Sequence, residues 1–164
     1  MKRFLIGFAF CFLQLAAFSF CSGDEPMPTH FTEWKAETIV DKSEIDRTGL
    51  DAWFKSEEIS DDVFDRMWLK SWKENCPLDR SYLRYLKMLH RNADGLPQRG
   101  EMVVNAAIAD KVLGIFRQLY EAGYRIERMA LIDNYGADDE TSMRANNSSS
   151  FNFRFMTGST TKIS

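Results

Sequence analysis

Three groups of residues in this chain are of types that do chemistry. They are an acidic run from Asp133 to Glu140, two histidines, and an arginine set among phenylalanines near the end. The acidic run gathers Asp133, Asp138, Asp139 and Glu140 around Gly136. Calcium is the first ligand it suggests, but an EF-hand loop needs oxygen ligands at alternate positions with glycine at the sixth. Tyr135 stands where the second oxygen ligand belongs, so the run reads as a solvated or helix-capping loop. His30 and His90 form no spaced pair, and neither lies near a glycine-flanked serine. A hydrolytic triad and a zinc site both need more converging groups than these. His90 reads as a hydrogen-bonded residue at the end of a strand.

Arg154 carries the sharper expectation. Phe151, Phe153 and Phe155 share one parity, and Asn152 with Arg154 share the other. A strand here would therefore present a polar face bearing a planar fork of donors. Such a fork suits gripping a carboxylate. The alternative is an ion pair with one of the acids of the preceding loop, and on the residues alone that is the better reading. Asn146 and Asn147 each begin an Asn-x-Ser sequon, which matters only where the exporting cell glycosylates such sites. Of the three cysteines only Cys76 falls inside the body, so no disulfide framework and no Cys-x-x-Cys pair exists, and Cys76 reads as buried.

These residues must be positioned by the elements around them. Ser60-Asp61-Asp62 is an N-cap followed by acids in a first turn, where the helix dipole favours them. Val63, Phe64, Met67, Trp68 and Trp72 follow at helical spacing, and Pro77 stops the segment. Tyr82 to His90 reads as a strand buried on both faces for part of its length. Asn92-Ala93-Asp94-Gly95 is a turn, and Gly100 to Asn105 a second strand, which together make a β-hairpin. Asn105 caps a helix with Ile108, Val112, Ile115, Phe116, Leu119 and Tyr120 as its apolar set and Gly123 as its stop. Tyr124 to Ile132 reads as a third strand and Asp133 to Ser150 as a long polar loop, with order returning at Phe151–Phe155. The class expected is α+β: helices followed by a β-hairpin, a helix and further strands.

Several stretches resemble one known family, in order. They are Phe64 to Trp72, Leu83 to Leu86, Gly100 to Asn105, Ile115 to Tyr120, Leu131 to Met143, Asn146 to Arg154, and Thr157 to Ser159. Together they resemble the extracellular D-alanyl-D-alanine carboxypeptidase-like zinc metallopeptidases over about residues 59–164, and the Ser-Met, Asn-Asn-Ser and Phe-Asn-x-Arg run is the most specific part. The resemblance implies a secreted enzyme that hydrolyses peptidoglycan stem peptides, with zinc as cofactor. It implies that Arg154 faces the site, gripping a substrate carboxylate or the developing oxyanion. It further implies that Asn146, Asn147 and Ser148 order or line that wall. The family holds zinc with a Ser-x-His-x-x-x-x-x-x-Asp segment and a later histidine, with a nearby glutamate as base. Ser164 matches that serine, so the chain as given is expected to be an incomplete catalytic domain that offers neither the zinc ligands nor the base. A secreted non-catalytic protein, which binds cell-wall peptides or persists as a vestige, is the rival reading.

The first residues point to export. Lys2 and Arg3 precede an almost unbroken apolar run from Phe4 to Phe20, and Ala17-Phe18-Ser19 offers a cleavage site before Phe20. Residues 1–19 are thus expected to be a signal peptide, with no transmembrane span in the mature chain. Cys21 offers a rival outcome, lipid attachment at its thiol. Residues 20–58 read as a tether and an N-terminal region of undefined fold, ahead of a peptidase-like domain at 59–164. Removing the leader takes two of 21 basic residues and none of 24 acidic ones, which leaves a balance of −5. Such a surface gives no support for a nucleic-acid or anionic-membrane partner.

Overall fold

The computed structural model of the protein describes residues 34–155 and 162–163. The expected leader, Cys21, the tether, His30 and Ser164 lie outside the described residues. In chain order the described elements begin with helix α1 (Lys42–Thr48), strand β1 (Lys55–Glu57) and helix α2 (Asp61–Met67). The hairpin strands β2 (Leu83–Arg91) and β3 (Pro97–Asn105) follow, then helix α3 (Ala109–Glu121), helix α4 (Asp139–Arg144), and the short strands β4 (Arg154–Phe155) and β5 (Lys162–Ile163). The class is α+β. β1, β2 and β3 form an antiparallel sheet in that order, and β4 pairs with β5. Among the described residues no helix is long and apolar enough to cross a membrane.

The hairpin is the spine. Its turn closes because Asn92 Oδ1 accepts from the backbone N–H of Asp94 and Leu96, while Gly95 takes a φ of 82° that a Cβ would strain. The second strand begins at Pro97 rather than Gly100, and Leu83 pairs with Asn105 at the far end. Side chains then alternate across the sheet. Leu86, Met88, Met102 and Val104 pack with Ala109 and Tyr120 of α3, whereas Leu83, Tyr85 and Val103 pack with Val63 and Met67 of α2 and with Trp72, Phe151 and Phe153. Residues 34–58, which the sequence leaves without a fold, join this core: Trp53 is fully buried, and the Arg99 guanidinium lies over the rings of both Trp34 and Trp53, 5.3 and 5.4 Å from their centroids.

The outer edge of β3 has no strand beside it. Instead, irregular segments satisfy its outward backbone groups one after another. Val40 N–H donates to Pro97 O, Arg99 N–H to Thr38 O, Glu101 N–H to Met129 O, and Phe151 N–H to Val103 O. An exposed strand edge invites pairing with another chain, and this relay covers it.

Four expectations are corrected. The helix capped by Ser60 ends at Met67, because Leu69 adopts a left-handed φ of 60° and the next residues bond elsewhere: Ser71 N–H to Asp133 and Phe153 N–H to Ser71 O. Tyr124–Ile132 is no strand. It touches the sheet only at isolated points, and Met129 through Asp133 are all buried, which no alternating strand exposed on one face would give. The loop Asp133–Ser150 contains a 3-10 turn (Ile132–Tyr135) and α4, each ended by a residue with positive φ, Gly136 and Asn146. Cys76 is half-buried beside the second core cluster rather than sealed in. α3 does end as expected, since Tyr124 N–H reaches Leu119 O and Gly123 N–H reaches Tyr120 O. Its packed stripe is Ala109, Val112, Leu113, Phe116 and Tyr120, which leaves Ile115 half exposed.

His90 is buried, with Nδ1 2.8 Å from Ile126 O and no partner for Nε2. Burial holds its pKa below the usual 6.5. A depressed folded pKa contributes stability above the unfolded value that is lost as pH falls through the folded one. The urea midpoint should therefore drop between pH 7.5 and 5.5, and His90→Gln should flatten that drop. Equal slopes for the two proteins would contradict the assignment.

Candidate functional site

The framework of the site starts at Glu101. Its side chain is 1% exposed, and a buried carboxylate persists only when paired and hydrogen-bonded. Arg66 of α2 supplies both ends of its fork, Nη1 to Oε2 at 3.0 Å and Nη2 to Oε1 at 2.5 Å. The Tyr85 hydroxyl, across the hairpin, donates to Oε2, and Leu131 N–H approaches Oε1 at 3.5 Å. Burial first, and the Glu101 charge second, push the Tyr85 phenol far above its ordinary value, so it stays a donor. Arg66 reaches on to Asn134 Oδ1 at 3.2 Å. This cluster therefore ties α2 and both hairpin strands to residues 131–134.

From there the chain enters the acidic run, whose carboxylates are occupied internally. Asp133 is buried and accepts from Ser71 N–H, Asp138 caps α4 through Thr141 N–H, and Asp139 accepts from Arg154 Nε and from Asn152 Nδ2. The capping loop expected from the sequence is thus what forms. α4 ends in a motif that explains the paired asparagines: Asn146 takes the left-handed position with its N–H on Met143 O, and Asn147 N–H reaches back to Ser142 O. The Asn147 amide then staples this end to the buried Ala130. Its Oδ1 accepts from Ala130 N–H, and Nδ2 donates to Ala130 O and Ser142 Oγ.

These elements enclose an open cleft of about 560 Å³ beside β3. Its apolar floor is Met102, Val104, Val112, Phe116 and Ile132, and its polar wall is Asp139, Ser142, Asn147 to Ser150 and Arg154. Three of the four site residues expected from the sequence, Arg154, Asn147 and Ser148, meet here. Asn146 does not line the cleft: it is exposed and donates to Glu127 Oε2 at 2.8 Å. Arg154 makes the ion pair with an acid of the preceding loop, yet only its Nε is used. Among the described residues nothing else bonds its two terminal nitrogens. The ion pair and a site role are thus compatible. Glu101, Arg66 and Tyr85 were not singled out from the sequence. The available signal was the parity of Glu101 with Val103, which places a charge on a packed face.

The zinc that the resemblance implies finds no fit here. Among the described residues no group of three or more His, Cys, Asp or Glu side chains could hold a metal ion, and the acids nearest the cleft already serve as caps and clamps. No family model, no curated protein and no solved structure matches the chain.

Removing Arg66 would leave the Glu101 carboxylate buried and unpaired. Arg66→Met should cost about 3 kcal/mol in equilibrium unfolding, because truncating one partner of a buried pair uncovers the full desolvation penalty of the other. A loss under about 0.5 kcal/mol would mark the pair as an ordinary surface contact.

Proposed function

We propose that this chain forms the substrate-gripping wall of an exported peptidoglycan peptidase of the D-alanyl-D-alanine carboxypeptidase-like zinc class. The observation that supports the reading most is the end of Arg154, unpaired among the described residues, on the wall of an apolar-floored cleft. A short peptide ending in small apolar residues has the matching chemistry. Methyl groups go to Met102, Val104 and Ile132, amides to the serines of 148–150, and the terminal carboxylate to the Arg154 fork. In such a cleft Arg154 holds the substrate and Asn147 keeps the wall in place. No step of hydrolysis is assigned to the described residues. A non-catalytic exported binder of cell-wall peptides would use the same cleft and differ only in lacking turnover.

Titration of the chain with acetyl-Lys(acetyl)-D-Ala-D-Ala and with its C-terminal amide, read by calorimetry, tests the reading. The acid should bind at least tenfold tighter than the amide, and Arg154→Lys should erase most of that difference, since lysine lacks the two-pronged geometry. Equal affinities for acid and amide would defeat it.

A further inference from the structure

Asp139 occupies an unusual place in the cleft: an anion on the wall beside the one cation that the proposed ligand needs. Two roles are open to it. As a competitor it neutralises Arg154 and repels an incoming carboxylate. As a clamp it orients Arg154 for that carboxylate. The geometry points to the clamp: we propose that Asp139, fixed by Asn152, is a positioning residue that holds the Nε edge of Arg154 and turns its terminal fork to the cleft. The inference rests on the peptide-carboxylate reading of the preceding section.

Both oxygens of Asp139 are committed, Oδ2 to Arg154 Nε and Oδ1 to Asn152 Nδ2 at 3.1 Å. Asn152 is itself buried, and the same Nδ2 donates to Ala137 O at 3.2 Å, so the carboxylate is tied to backbone on its far side. Asp139 opens α4, whose start is capped by Asp138 and whose end is stapled by Asn147 to Ala130. The clamp therefore stands on a frame braced at both ends. Among the described residues Arg154 is held at Nε alone, which leaves the two terminal nitrogens, the pair whose spacing matches a carboxylate. A free arginine side chain loses rotamer entropy when ordered, and a clamp that orders it beforehand spares the ligand most of that cost. Asparagine cannot replace Asp139 in this role. It has one acceptor where two donors converge, so its amide NH2 would face either Arg154 Nε–H or Asn152 Nδ2–H.

The two roles predict opposite signs. In the acid-and-amide titration of the chain, Asp139→Asn should weaken binding of the acid about tenfold, leave the amide unchanged, and so shrink the discrimination between them. Glu140→Gln removes the same charge one residue away from an exposed pair with Arg144, and it should leave affinity within twofold. The Arg154 Nε–H resonance, seen by 15N NMR, should exchange slowly with water in the parent chain and faster in Asp139→Asn. Tighter or unchanged acid binding by Asp139→Asn overturns the clamp while the peptide reading stands. An equal loss in Glu140→Gln also overturns it, because the effect would then be one of general charge. A parent chain that does not distinguish acid from amide overturns the peptide reading, and the clamp with it.

Discussion

The buried carboxylate of Glu101 sets the arrangement of this protein. Glu101 lies in the middle of β3 on a packed face, where an unpaired charge is untenable. Satisfying it requires Arg66 from α2, Tyr85 from β2 and the N–H of Leu131. Its own backbone N–H also binds Met129 O. Glu101 thus holds the segment 129–134 twice, by main chain and by side chain. That segment leads into α4, and α4 with the residues after it makes the polar wall of the cleft. The position of Arg154 follows from that of a glutamate it never touches.

The second constraint is the bare edge of β3. Covering it with irregular chain rather than a strand has a functional consequence. A regular neighbour would run parallel to β3 and fill the space beside Met102 and Val104 with its own side chains. The segments that do lie there meet the edge at single hydrogen bonds and then turn away, which leaves the floor of the cleft open. Gly100 permits the approach at Met129: a Cβ there would sit 2.8 Å from Met129 Sδ and 3.0 Å from the His90 ring. Close cover at Met129 and open space at Met102 are two sides of the same departure from regular sheet.

Local signals were legible because they are carried by one or two residues in sequence. Ser60 caps as read, the Asn92–Gly95 turn closes as read, and Arg154 pairs with an acid of the run before it, whereas Asn105 caps a 3-10 turn (Ala106–Ile108) that leads into α3 rather than α3 itself. What failed depended on distant partners. Trp68 and Trp72 have helical spacing, but the bonds of Ser71 to Asp133 and Phe153 stop the helix first. α4 has almost no apolar face, so a period of 3.6 could not reveal it; its two ends are made by side chains and a left-handed asparagine. Glu101 shares its parity with the buried Val103, but its partners Arg66, Tyr85 and Leu131 come from distant segments that the strand pattern does not reveal. The cleft combines all three and is for that reason the least legible part.

The dependence of the cleft wall on Glu101 is tested most directly by backbone hydrogen exchange in Glu101→Gln, which keeps the volume and removes the charge. The amides of Asn134, Asn147 and Ser148 should lose protection together, by about 10²-fold for a local loss near 3 kcal/mol. The amides of α3, which packs on the opposite face of the sheet, should change far less. If Asn134, Asn147 and Ser148 kept the protection they have in the parent chain, Glu101 would not be what holds the wall.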